Sequence, residues 1–102
     1  MLELRPNCEL CDRDLPPESD EARICSYECT FCARCVDEVL HGVCPNCGGN
    51  FVARPIRPSR AWRENTSRDH DPPSTRRRQS KYGRDEIAAF VAPLRELDPR
   101  ER

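Results

Sequence analysis

Eight cysteines are the residues of this 102-residue chain best equipped for chemistry, and all lie between Cys8 and Cys47. They come as four close pairs: Cys8 and Cys11, Cys25 and Cys29, Cys32 and Cys35, Cys44 and Cys47. Zinc takes four thiolates in a tetrahedron, commonly two from one tight turn and two from another, so short pairs of this kind suit it. Disulfide frameworks seldom space their cysteines so regularly. The amino end, Met1 to Pro6, lacks the basic and apolar blocks of a secretion signal, which points to a reducing, cytoplasmic setting. The expected cofactor is Zn2+, two per chain. Catalytic zinc keeps one position open for water, whereas a shell of four thiolates is closed, so both sites read as structural and no catalytic residue is assigned. His41 and His70 are the two histidines. Neither has the neighbours of a metal ligand or of a nucleophile–base pair.

Two pairings are open. A sequential scheme joins the first pair to the second and the third to the fourth; an interleaved scheme joins the first to the third and the second to the fourth. The elements that must position the cysteines favour interleaving. Cys8 and Cys11 sit in a loop after Pro6 and read as a zinc knuckle. Ala22 to Tyr27 alternates as a strand does, and with Thr30 and Phe31 it makes a short hairpin. After Cys35, Val36, Val39 and Leu40 fall at helical spacing and Gly42 supplies a stop. A knuckle, a hairpin and a helix whose first turn carries two more ligands make a treble clef. The helix N-terminus also favours the thiolate charge of Cys32 and Cys35. One zinc then takes Cys8, Cys11, Cys32 and Cys35, and the other takes Cys25, Cys29, Cys44 and Cys47. The fold class expected is a small metal-stabilised α+β domain with one short hairpin and one short helix, followed by a largely disordered tail that ends in a short helix.

The ligand order resembles a RING-type cross-brace. Cys29 stands where that family usually has histidine, Phe31 precedes Cys32 as in its ligand-x-Phe-Cys step, and Cys44-Pro45-Asn46-Cys47 is similar to its closing C-P-x-C. Leu10 falls where RING domains carry an aliphatic residue in the first knuckle. The chain also resembles a small bacterial cysteine-rich family of binuclear treble clefs with no assigned activity, over most of residues 1–58. RING domains are often ubiquitin ligases, and the resemblance implies that a conjugating enzyme would meet Leu10, the Val36–Val43 segment and Pro45. Two family features are missing: no tryptophan lies between Cys35 and Cys44, and Gly48-Gly49 follows Cys47 where an arginine is common. Fold alone does not fix function. The closed thiolate shells favour a non-enzymatic interaction module over a ligase-like adaptor.

Composition divides the chain near Pro55 and Pro58. Residues 1–58 hold six Lys/Arg against ten Asp/Glu, and residues 59–102 hold eleven against eight. Two closed tetrathiolate centres add about four further negative charges to the head, which suits a basic partner. A head this small needs metal cross-links, because its own apolar core is too slight. Residues 59–84 read as a flexible basic linker, with Trp62, Tyr82, Arg76, Arg77, Arg78 and Lys81. It is either a solvated spacer, one that folds back on the acidic head included, or a weak nucleic-acid contact through those four basic residues, the basis of an alternative reading as a nucleic-acid-associated regulator. Residues 85–102 form a short amphipathic segment. Ile87, Phe90, Val91, Leu94 and Leu97 follow helical spacing, and Pro93 is expected to end or kink the run. This handle is expected to bind a second protein, another copy through residues 85–97, or the head itself. The partner-binding set is Leu10, Val36, Val39, Leu40, Pro45, Ile87, Phe90, Val91 and Leu94, of which the head residues also read as core. No apolar run is long enough to span a membrane.

Overall fold

Three short strands form one antiparallel sheet in the order β2-β1-β3: β1 (Ala22–Ile24), β2 (Thr30–Cys32) and β3 (Val52–Ala53). In this computed structural model, which describes residues 1–102, β1 pairs Ile24 with Thr30 and Ala22 with Cys32 across the hairpin. The turn between them carries Glu28 at φ 68°, a left-handed position that reverses the chain over few residues. The hairpin therefore lies where the alternation of Ala22 to Tyr27 places it. β3, two residues long with both side chains exposed, pairs Arg23 with Ala53 and adds an edge that no sequence pattern announces.

The helix begins directly after Cys32, in keeping with a first turn that carries two cysteines. Ala33–Cys35 makes one α-helical turn (α1), which runs on as a π-helical turn, Val36–Leu40. It stops at His41, left-handed at φ 49°, one residue before Gly42 at φ 76°. The wider π turn places Val36 and Leu40 together on the buried side, with Asp37 and Glu38 exposed.

Phe31, Leu15, Leu40 and Val43 are almost completely buried beneath the sheet and helix, and Phe31 meets Phe51 edge-on at 5.6 Å between ring centroids. Six of the eight cysteines belong to the same core. The second helix, α2 (Arg84–Leu94), packs against the π turn and completes that core with Ile87 and Val91, 1% and 2% exposed. Burial of each is worth about 1.5–3 kcal/mol. Glu86 reaches back to the Gly83 N–H at 3.2 Å, half of a capping box. Pro93 is carried inside the last turn, and a 3-10 turn follows at Pro99–Glu101.

Residues 59–84 contain neither strand nor regular helix before α2, yet they lie along the head. Arg68 N–H donates to Pro58 O, Ser74 N–H to Leu4 O and Ser80 N–H to Glu9 O. Asn7, wholly buried, donates from Nδ2 to Arg78 O at 2.8 Å and accepts from Arg78 N–H at 3.2 Å. Arg77 grips Asp12 and Asp14 at 2.9 and 2.6 Å. Of the readings composition left open, the observed chain takes the one that folds back on the acidic head: it is a strap, because side chains of the tail neutralise the acids of the first knuckle.

Candidate metal centre

Two turns converge to make the first thiol group. The loop from Asn7 to Asp14 closes on itself: Cys8 N–H donates to Arg13 O, Asp12 N–H donates to Cys8 O, and Asp12 is left-handed at φ 66°. This turn presents Cys8 and Cys11 toward Cys32, the last residue of β2, and Cys35, the last of α1. The four sulfurs all lie within 4.8 Å of one another, with Cys11 and Cys32 3.8 Å apart. Three are buried and Cys11 is exposed.

The second group is built the same way from the hairpin and the closing turn. Tyr27 N–H points at Cys25 Sγ at 3.3 Å. In the last turn Gly48 N–H donates to Cys44 O, and Gly49 N–H points at Cys47 Sγ at 3.4 Å. Gly48 sits at φ 82°, a left-handed position that glycine takes without the strain a side chain would add. Cys25, Cys44 and Cys47 lie mutually within 4.8 Å. Cys29 stands at the border: its sulfur interacts with those of Cys44 and Cys25 and lines one surface depression with Cys47, Tyr27 and Asn46, but it falls outside the mutual set. The groups thus draw on alternate pairs along the chain.

The electrostatics of both groups fit a divalent cation. Burial raises the thiols of Cys8, Cys25 and Cys35 above their ordinary range, Cys25 to about 11. The interaction between the Cys44 and Cys29 thiols raises Cys44 strongly and holds Cys29 down to about 5. Burial would also raise Cys11, but hydrogen bonds from the Arg13 backbone and the neighbouring thiols bring it below the usual value. Sulfurs this close cannot all ionise side by side unless a cation offsets their repulsion. Backbone N–H groups aimed at sulfur are the outer support that metal-bound thiolates use. Both cysteine groups are therefore able to hold a metal ion.

Residues 1–57 match the model of a family described as a protein of unknown function, DUF1272. The chain belongs to the DUF1272 family. Over 59 residues this DUF1272 chain is 66% identical to the uncharacterized protein R02474 of Rhizobium meliloti (strain 1021), a stretch covering 58% of this chain and 70% of the relative. No solved structure matches it. The family region contains all eight cysteines, whereas the strap and α2 lie beyond it.

The remaining residues singled out in the sequence are placed as follows. Val36, Leu40, Pro45, Ile87 and Val91 are buried, and Leu10, Val39 and Leu94 are half-buried against the core. Val36, Leu40, Ile87 and Val91 share one core, in which α2 of the same chain packs on the helical segment. Phe90 is 42% exposed. Arg76 and Lys81 are exposed, while Arg77 and Arg78 are engaged by Asp12, Asp14 and Glu3. His41 and His70 are exposed and belong to neither thiol group. Three side chains that organise the site have no motif of their own. Asn7 joins knuckle to strap. Glu9, 5% exposed, accepts from Arg5 Nη1 and from Thr30 N–H. Arg54 is buried, with its pKa lowered by desolvation, and holds the carbonyls of Arg5, Leu15 and Pro16. No helix is long and apolar enough to cross a membrane.

Proposed function

We propose that this DUF1272 protein is a non-enzymatic, cytoplasmic protein-interaction module whose rigid head is held by two structural zinc ions in a RING-like, crosswise treble clef. Cys8, Cys11, Cys32 and Cys35 would hold one zinc, and Cys25, Cys44 and Cys47, completed by Cys29, would hold the other. The observation that carries the reading is the composition of the two groups: the first draws on the first and third cysteine pairs, the second on Cys25 of the second pair and both members of the fourth, and neither contains a donor other than sulfur. All-thiolate zinc is closed to substrate and supplies folding energy rather than catalysis.

The interaction role is supported by apolar surface beside the second group. Tyr27, 73% exposed, and Phe90 border a shallow depression floored by Gly48 and Leu94. Exposed aromatic side chains on a rigid support are characteristic anchors for a protein partner.

Metal analysis of the purified full chain should give two zinc per chain, and cobalt substitution should give the thiolate-to-metal absorption of two four-sulfur sites. Chelation should abolish the near-ultraviolet circular dichroism of the head. A folded, zinc-free protein with four disulfides would end this reading. Tyr27→Ser with Phe90→Ser should keep both zinc ions and lose partner capture; retained capture would remove the interaction surface from the proposal.

A further inference from the structure

One concavity of the molecule lies on neither apolar face. It encloses about 470 Å3 between the first knuckle, the strap and the edge of the second thiol group, with Arg5, Glu9, Asn46, Arg76, Ser80 and Lys81 among its walls. Its only wall residues with acidic groups are Glu9 and Cys29, against five arginine and lysine residues.

Most of that positive charge is already spent. Arg5 is held by Glu3 and Glu9, Arg77 by Asp12 and Asp14, and Arg78 by Glu3. Arg76 and Lys81 have no carboxylate partner; Lys81 Nζ instead lies 5.3 Å from the ring centroid of Tyr82. The Nε of Arg78, a third wall residue, is buried without any acceptor. The backbone that carries these cations is ordered before any ligand arrives. The strap that carries them is tied to the head at Ser74, Arg78 and Ser80 by the backbone bonds to Leu4, Asn7 and Glu9. Cationic donors on an ordered backbone lose less freedom on binding an anion than donors on a free chain, and charged hydrogen bonds are the stronger kind.

We propose that this concavity binds a small anion of the diphosphate class, with Arg76, Lys81 and the Arg78 guanidinium as its donors. A volume of this order exceeds what a single phosphate fills. The walls carry no aromatic or aliphatic side chain against which a base or acyl group would rest. The recognised chemistry is therefore the paired phosphates themselves, whether free pyrophosphate or the diphosphate of a nucleotide. Cys29, which would complete the second metal centre, forms one wall, so the site is defined for the metal-loaded protein.

The test is titration of the full-length, metal-loaded protein with pyrophosphate, followed by amide chemical shifts. Saturable shifts are expected at residues 5–9 and 76–81, weakening as salt is raised. The amides of Tyr27 and Gly49, which face the sulfurs, should stay in place, showing that the metals are not extracted. The double variant Arg76→Gln, Lys81→Gln alters exposed side chains only and should keep its metal content while losing at least about tenfold in affinity. ADP should bind within about threefold of pyrophosphate. The proposal is overturned if pyrophosphate gives no saturable shift up to about 1 mM, if the double variant binds as the parent does, or if ADP binds more than tenfold tighter. Binding of a single-stranded oligonucleotide without binding of pyrophosphate would also overturn it.

Discussion

The carboxylate of Glu9 accepts the backbone N–H of Thr30 at 2.6 Å, and the backbone N–H of Glu9 donates to Thr30 O at 3.0 Å. Glu9 lies between Cys8 and Cys11 of the first thiol group, and Thr30 follows Cys29 beside the second. One residue of the first knuckle therefore sets the position of the hairpin that serves the other. Glu9→Gln leaves Arg5 paired only with Glu3 and weakens a charged hydrogen bond in a buried place. The expected cost is about 1.5–3 kcal/mol by denaturant unfolding of the metal-loaded protein. A change below 0.5 kcal/mol, on the order of a surface substitution, would contradict it.

Interleaving predicts the reach of a single ligand change. Cys25→Ser should lower the metal content from two per chain toward one, and amide shifts should move throughout residues 8–47. Shifts confined to the neighbourhood of Cys25, Cys44 and Cys47 would mean that the two groups are mechanically separate.

Metal uptake should release protons at neutral pH, because the metal needs thiolates where burial favours thiols: Cys8 is raised above its ordinary range and Cys25 to about 11. Metal affinity should accordingly fall as pH falls, since protons compete for the same sulfurs. Calorimetry in buffers of different ionisation enthalpy measures the release. A buffer-independent heat would show that the thiols were already ionised.

Asn7→Ala should free the strap and leave the metals. It removes both hydrogen bonds to Arg78 and leaves buried backbone groups unpaired, at a cost of about 1–3 kcal/mol. Hydrogen exchange at Ser74, Arg78 and Ser80 should accelerate, while Cys8 and Cys35 stay protected. Unchanged exchange would mean that the Arg77 ion pairs suffice to hold the strap.

Gly48→Ala probes the joint between the closing turn and α2. Its left-handed backbone makes any side chain cost about 1–2 kcal/mol. An added Cβ would also stand 3.5 Å from Leu94 and 3.7 Å from Phe90, ordinary contact distances. The cost should therefore be that of the backbone alone, with α2 undisturbed by circular dichroism. A larger loss, of the size of a core cavity, would show that the helix had shifted.

Much of the cysteine-bearing region was legible because its chemistry is local. The pairs sit in tight turns whose type is written in neighbours such as Pro45 and Gly48, and the alternation around Ile24 announces a strand. The π turn was not legible, because Val36, Val39 and Leu40 satisfy an ordinary helical period equally well. The strap was read from composition as a solvated linker. Its order comes from pairings that span up to 75 residues, such as Arg78 with Glu3, and composition carries no record of such partners. The helical spacing of Ile87, Val91 and Leu94 marked a buried face but not what buries it; that face meets Val36 and Leu40 of the same chain. Asn7 and Arg54 escaped notice because a lone buried polar residue has no periodic signal.

The placement of α2 sets a timetable for biosynthesis. Cys47 leaves the ribosome forty residues ahead of Ile87, so the sulfurs are all available while the apolar flank of the π turn still faces water. The nascent head reaches its final burial only when α2, Arg84–Leu94, emerges. A chain cut short before α2 would therefore keep a sticky, half-covered flank beside the π turn.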